Sequence, residues 1–353
     1  MSNPALLIDP QAFRENALRL DQLLQAQERF CHFDCSAFAS QVPLLEELAG
    51  HGLRRLASSY LQDFEFLAPY AVDSMLLRSP MLSQVAAVVD LCDLSCNTEW
   101  PVICALSDAA LVRQKIHRVI VQLDVGDLTS GLELETASQM ISQLVNLRGV
   151  RLAGFKADFN GYGGILPSVS VLEDLAAFTQ YIEQRYGLSL DYISALNSSC
   201  LDLLETGQIP PAVKHFVLGE ALLTGRESAH GGSFAGLNQN IFSVQAEVIE
   251  AQRRPSLPQG IRGDRSSGRV MSYVDHGLIQ RVNLALGYQD LDARDLEPKL
   301  RGVRYLGQTQ DQSFYDVTGL NKSLRPGDRL EFMLNYNAIL HALTSPYLAK
   351  VFI

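Results

Sequence analysis

Lysine is the scarce residue of this chain. Among 353 residues there are 23 arginines but only six lysines, and no lysine precedes Lys115. Chemistry that needs a lysine amine in the first third of the sequence is therefore excluded. A long apolar run is also missing: no window approaches the ~18 uninterrupted apolar residues of a membrane-spanning helix. The N-terminus, MSNPALLIDPQAF, has no basic region leading into an apolar stretch and is not expected to be a secretory signal. Excess positive charge is absent as well. The formal net charge of -10 argues against nucleic acid or an anionic membrane surface as the partner. The six cysteines (31, 35, 92, 96, 104 and 200) form no tight framework. Cys31-x3-Cys35 and Cys92-x3-Cys96 have the form of metal pairs, but strand alternation makes them ordinary core positions. No metal site is expected, and a reduced, cytoplasmic protein is.

What is present is a regular alternation. The length fits about two domains, and a chain this long buries a large core without help from disulfides or metal. Short apolar runs at residues 29–34, 53–58, 74–78, 90–95, 118–124, 150–156, 192–196 and 215–218 read as strands. Helical patterns lie between them, among them 43–49, 82–89, 99–107, 135–147 and 170–186. Pro43 suits a helix start, where its missing N–H is not needed. Eight strands, each followed by a helix, predict a (β/α)8 TIM-like barrel over residues 10–232. Beyond Gly219 the texture changes. A loop rich in small residues around His230 leads into alternating segments at 241–249, 269–274, 281–286, 300–306, 313–317 and 329–334, separated by turn signals. These predict a C-terminal all-β domain, residues 233–353, joined by the N-terminal residues 1–9.

In such barrels the chemistry sits at the C-terminal strand ends. Here those ends carry Asp34, Ser58, Arg78, Asn97, Asp124, Lys156 with Asp158, Asn197 with Ser198 and Ser199, and Gly219 with Glu220. Ser58, Asn97 and Ser83 are better read as helix N-caps. His32 precedes Asp34 by two residues and shares its inward face. A site built from His32, Asp34 and Asp158 would offer N/O ligands to zinc or iron. No local metal motif supports it, and a satisfied interior histidine is the preferred reading. Nucleotide loops, nucleophile elbows and basic patches do not occur.

Nine stretches, in order and spanning almost the whole chain, carry a resemblance. They are LIDPQAFREN (7–16), LLRSPMLS (76–83), LDVGDL (123–128), NGYGGILP (160–167), NSS (197–199), GEALLTGRE (219–227), RPSLP (254–258), DHGLIQR (275–281) and GYQD (287–290). Together they resemble the fold-type III pyridoxal-phosphate enzymes, the alanine racemase-like fold, and within it the ornithine racemase branch. The resemblance implies an active site at the barrel mouth, completed by the β domain of a second subunit in a homodimer. It implies a Schiff-base lysine at the end of the first barrel strand, where this chain has Asp34. It implies an arginine facing the pyridine nitrogen from the last strand, where this chain has Val217. The phosphate side is similar to the family's: Asn197, Ser198 and Ser199 match a hydroxyl-rich turn, Gly219 a backbone donor at a helix start, and Tyr336 a tyrosine reaching the phosphate. Tyr288 resembles the opposite-face acid/base. Asp158 matches a position that packs on the cofactor ring.

Lys156 is the one lysine near the catalytic end of a barrel strand, on the same side as Asp158. Two readings follow. Lys156 is a relocated Schiff-base lysine, activated by burial. Alternatively, Asp34 and Lys156 form a charge pair across the barrel interior, where a lone charge is costly and a paired one tolerable. The second is preferred, because it needs no new chemistry and also explains the Asp. The expected function is an amino-acid racemase-like enzyme acting on an amino acid or close derivative in a pocket without the usual lysine. In this reading the candidate catalytic groups are Lys156, Asp34, Asp158 and Tyr288. Pyridoxal phosphate would be held non-covalently or through Lys156, and otherwise no cofactor is used. The alternative is a cofactor-less homologue that binds an amino-acid or phosphate ligand.

Overall fold

The computed structural model describes residues 4–71, 73–261 and 274–353. The chain divides into two compact units, Pro10–Gln239 and the remainder, Met1–Asp9 with Asn240–Ile353. The N-terminal strand β1 (Ala5–Ile8) belongs to the second unit.

The first unit is a closed barrel of eight parallel strands. They are β2 (Phe30–Asp34), β3 (Arg55–Ser58), β4 (Asp73–Leu76), β5 (Leu94–Asn97), β6 (His117–Leu123), β7 (Val150–Ala157), β8 (Tyr192–Leu196) and β9 (His215–Leu218). The TIM-like fold class expected from the alternation is the one observed. Helix signals are local where they are strong. Ser168 caps the helix Val169–Tyr186 by accepting from the Val171 amide, and Gly187 ends it in the left-handed conformation. Where signals overlapped, boundaries moved. Asp90 joins the helix Val85–Leu91, whose Val88 and Val89 are buried, so β5 starts only at Leu94. The predicted caps also differ. Asn97 turns back to donate to Ser95, Glu99 occupies the N-cap position of Trp100–Val112, and Ser83 lies inside the short turn Leu82–Gln84. Ser58 accepts from the Tyr60 amide but donates to Asp63, as a buried hub rather than a cap.

The barrel lumen has two tiers. Its apolar layer is Ala57, Met75, Leu94, Cys96, Ile120, Ala153 and Tyr192, with Phe30, Leu77 and Val217 against it. Beneath the mouth runs a polar chain. His215 Nδ1 lies 2.8 Å from Ser194 Oγ, and His215 Nε2 lies 2.8 Å from His32 Nδ1. His32 Nε2 is 3.7 Å from Asp73. Asp73 accepts from Tyr192 at 2.6 Å and from Arg118 at 2.5 Å. His32 and His215 share one hydrogen bond and His215 and Ser194 a second, while the 3.7 Å from His32 Nε2 to Asp73 is too long for a hydrogen bond and is an electrostatic contact. Burial pushes the His32 imidazole down to about 4, against the pull of Asp73.

The second unit is an antiparallel sheet built on the long strand β10 (Phe242–Pro255). Its other members are β11 (Leu278–Leu284), β12 (Leu296–Pro298), β13 (Arg304–Gln308), β14 (Ser313–Asp316), β15 (Arg329–Leu334) and β16 (Ala349–Phe352). Strand β1 pairs antiparallel with β10, Ile8 opposite Phe242, and parallel with β16. The expected strand at 269–274 lies, apart from Val274, outside the described residues. The loop at 230–239 stays with the barrel, where the sequence reading ended that domain at 232. The Phe234 amide donates to Gly225, and the Asn238 amide donates to Asn16 Oδ1. Among the described residues no helix is long and apolar enough to cross a membrane.

Candidate active site

The C-terminal strand ends gather three charged groups at the barrel mouth. Lys156, near the end of β7, is 5 % exposed and donates to Asp158 Oδ1 in a short ion pair. Asp158 stands two residues further along the same strand direction, so both side chains share one face. Its second oxygen, Oδ2, accepts from Gln122 Nε2 at 2.6 Å. Burial alone would push the Lys156 ammonium down. The Asp158 carboxylate, with Cys96 and Asp34 adding to it, outweighs burial and holds it above the ordinary lysine value.

Asp34 ends β2 and is turned to its own loop. The Ser36 amide and hydroxyl donate to Asp34 Oδ1 at 2.9 and 2.5 Å. Ser36 is itself fixed, because the Ser59 amide donates to its hydroxyl at 2.8 Å. Burial raises the Asp34 carboxyl above its usual range, and nearby Asp158 adds to the rise, in spite of Ser36 and Lys156. The expected Asp34–Lys156 pair is thus corrected. Lys156 takes the carboxylate two residues along its own strand, and Asp34 acts on it only through the field. The reason is reach: Asp158 shares the lysine's face and strand, whereas Asp34 is already bonded at Oδ1.

A second cluster lies at β8 and β9. Asn197 accepts from the Ser199 amide and hydroxyl at 2.9 and 2.6 Å and donates to the Phe159 carbonyl. Ser198 Oγ accepts from the Ala221 amide at 3.0 Å. The hydroxyl-rich turn therefore sits against the first turn of the helix Glu220–Thr224, which follows Gly219. The Glu220 carboxyl is raised by burial and by Glu227.

The loop of the NGYGG motif is pinned by a buried carboxylate. Asp127 accepts from the amides of Gly161 and Ile165, at 3.2 and 2.9 Å, and from the Thr129 hydroxyl. A Cβ on Gly163 would come within 2.5 Å of the Asp127 carbonyl, so that position requires glycine, and one on Gly161 would displace Asp127 Oδ2, 2.7 Å away, and the Thr129 hydroxyl. Asn160 anchors the other side by donating to the Ser228 carbonyl at 2.6 Å. This explains the motif as loop architecture.

The remaining expected residues lie in the β domain. Tyr288 is in the turn after β11 and is hydrogen-bonded to Tyr305 on β13. Tyr336 begins the helix Tyr336–Thr344, capped by Asn335 accepting from Ala338. The His32, Asp34 and Asp158 metal set does not assemble: His32 faces His215 and Asp73, and among the described residues no group of three metal-ligating side chains exists. Gln122 and Ser130 escaped the sequence reading. The only signal was one polar residue inside the apolar run VIVQL.

A parallel barrel with a polar mouth, followed by an antiparallel β domain joined by the N-terminal strand, defines the alanine racemase architecture. Among solved structures, alanine racemase from Bartonella henselae with covalently bound pyridoxal phosphate superposes with a TM-score of 0.77 at 17 % identity, covering 100 % of both chains. D-threonine aldolase from Filomicrobium marinum gives 0.71 at 13 % identity, over 97 % of this chain and 89 % of that one. The family model for the alanine racemase N-terminal domain matches residues 8–209. Ornithine racemase from Acetoanaerobium sticklandii is 31 % identical over 98 % of this chain and 99 % of its own. Lysine racemase from Thermotoga maritima is 30 % identical over 100 % and 99 %. The chain belongs to the alanine racemase N-terminal domain family, among relatives that are amino-acid racemases.

Proposed function

We propose that this chain is an amino-acid racemase-like enzyme that takes an amino acid or close derivative at the barrel mouth, in a pocket lacking the family's usual Schiff-base lysine. The observation that carries the reading is the Lys156–Asp158 ion pair with Asp34 beside it, in a chain whose relatives are ornithine and lysine racemases. In this reading Asp34 stands where the family keeps its lysine.

Each residue has a task. The Lys156 ammonium binds the substrate carboxylate, and Asp158 keeps it charged. Asp34, bonded through Oδ1, offers Oδ2 as the group that takes or returns a proton at the α-carbon. Tyr288 of a second subunit serves the opposite face, in a homodimer. Inversion then needs one proton removed on one face and one delivered on the other. Asn197, Ser198, Ser199, Gly219 and Tyr336 hold an anionic group of the ligand. The protein acts in the cytoplasm.

Pyridoxal phosphate, when bound, spreads the charge left by the departing α-proton. The turn at Asn197–Ser199 suits its phosphate. The anchoring side does not fit, because imine formation needs a neutral amine and Lys156 is an ion-paired ammonium. No step is therefore assigned to the cofactor.

The same ion pair favours a second reading, a cofactor-less homologue that binds an amino-acid or phosphate ligand without turnover. Without a carbonyl group to spread the carbanion charge, a carboxylate alone removes an α-proton slowly. Chiral chromatography after incubation with L-ornithine or L-lysine, with and without pyridoxal phosphate, separates the two. Turnover lost in Asp34→Asn supports the enzyme. Calorimetric binding without turnover supports the binder. Neither binding nor turnover refutes both.

A further inference from the structure

The carboxylate that holds Lys156 is itself held. Gln122, on β6, is the register partner of Lys156 on β7. Gln122 is 3 % exposed, and its Nε2 sits 2.6 Å from Asp158 Oδ2 and 2.7 Å from Ser130 Oγ. Asp158 only accepts, so the amide group must point its NH2 toward it, one proton to Asp158 and one to Ser130. Each oxygen of Asp158 thus has its own donor, from two neighbouring strands. A carboxylate fixed at both oxygens cannot swing to solvent and abandon the ammonium.

We propose that Gln122 is a positioning residue: with Ser130 it clamps Asp158 onto Lys156, and the clamp keeps Lys156 from adding to carbonyl compounds. The inference rests on the reading of the mouth given above. Lys156 is then a gated amine for small aldehydes and keto acids. Addition requires that the ammonium first lose a proton to solvent. The amine nitrogen then bonds to the carbonyl carbon, the carbonyl oxygen leaves as water, and a C=N bond remains.

Reductive methylation tests this directly. Formaldehyde supplies the carbonyl, and cyanoborohydride delivers hydride to the C=N bond, leaving a methylamine. Peptide mass spectrometry of the full-length protein reads the rate at Lys156 across pH, with exposed Lys322 as the internal reference. In the wild type, Lys156 is expected to lag Lys322, with its rate rising only at higher pH. Asp158→Asn and Gln122→Leu are expected to move the midpoint of that profile down by about one pH unit, about tenfold faster at neutral pH. Gln122→Glu sets a second carboxyl against Asp158, the two share one proton, and that proton replaces the amide as donor, so the midpoint is expected to stay at the wild-type value or above. Loosened structure would speed all three variants alike, so a Gln122→Glu variant that shows no downward shift separates the clamp from damage. The proposal is overturned if Lys156 in the wild type reacts as fast as Lys322, or if the variants change rates without moving the midpoint. Ligand binding and turnover stay separate readouts, so a failed clamp is distinguishable from a failed function.

Discussion

The two ends of the barrel lumen solve the same electrostatic problem differently. Both hold a carboxylate opposite a cation inside a protein wall. At the lower end Asp73 binds Arg118 and Tyr192 and faces His32, which is hydrogen-bonded through His215 to Ser194. At the mouth, Lys156 and Asp158 pair beside a second carboxylate, Asp34, whose Oδ1 alone is tied to Ser36. One carboxylate there pairs with the ammonium, and a second, raised by burial, acts on it only through the field. The difference separates a set of charges closed by its own hydrogen bonds from a set that carries one carboxylate more than its cation.

The largest effect should come from the lower end. Asp73→Ala strips Arg118 and Tyr192 of their shared partner and should cost about 3 kcal/mol in chemical unfolding, two hydrogen bonds to a half-buried carboxylate being lost. Ligand binding at the mouth should be unchanged in the folded fraction.

Acid should attack the same end. The His32 imidazole titrates near 4 in the folded state against an ordinary value of 6.5. The folded chain therefore binds fewer protons than the unfolded chain between those values, so stability falls as pH drops from 6.5 to about 4 and is flat above. A shift of that size corresponds to roughly 3 kcal/mol. In urea titrations across pH, His32→Gln should reduce the slope and leave the part due to His215 and His117, which burial also lowers. An unchanged slope would show that His32 is not what senses acid.

At the mouth the order of effects reverses. Lys156→Met should cost only about 1–2 kcal/mol, because Asp158 is partly exposed and keeps Gln122. It should nevertheless weaken amino-acid binding by at least about tenfold, one charge-assisted bond being lost. Equal stability losses for Asp73→Ala and Lys156→Met would erase the distinction between the ends. The smallest effect belongs to Ser198→Ala, which removes the acceptor of the Ala221 amide. About 1 kcal/mol is expected, together with weaker phosphate binding by calorimetry.

The barrel was readable because its signal is local. Apolar runs of strand length alternate with helical periods, and Ser168 and Gly187 mark their helix at both ends. The β domain was less so. Strands β1 and β16 are four residues each and lie at opposite ends of the chain, and only their pairing with each other makes them a sheet. The helix Tyr336–Thr344 follows β15 with Asn335 as its start signal, yet it was not anticipated. At the mouth, the lysine shortage pointed to Lys156, and strand alternation pointed to Asp158 beside it. Which carboxylate pairs with the lysine was not legible. That choice depends on the register of β6 with β7, which brings Gln122 level with Lys156, and on Ser36 occupying Asp34. Both are tertiary facts with no sequence motif.

The absorbance spectrum of the purified protein with added pyridoxal phosphate tests the central claim most directly. A mouth whose one lysine is clamped as an ammonium predicts no aldimine band and no cofactor fixed to the chain by borohydride. Asp34→Lys, which places an amine at the end of the first barrel strand, should gain both. A band in the unaltered protein that borohydride discharges and Lys156→Ala abolishes would contradict the account.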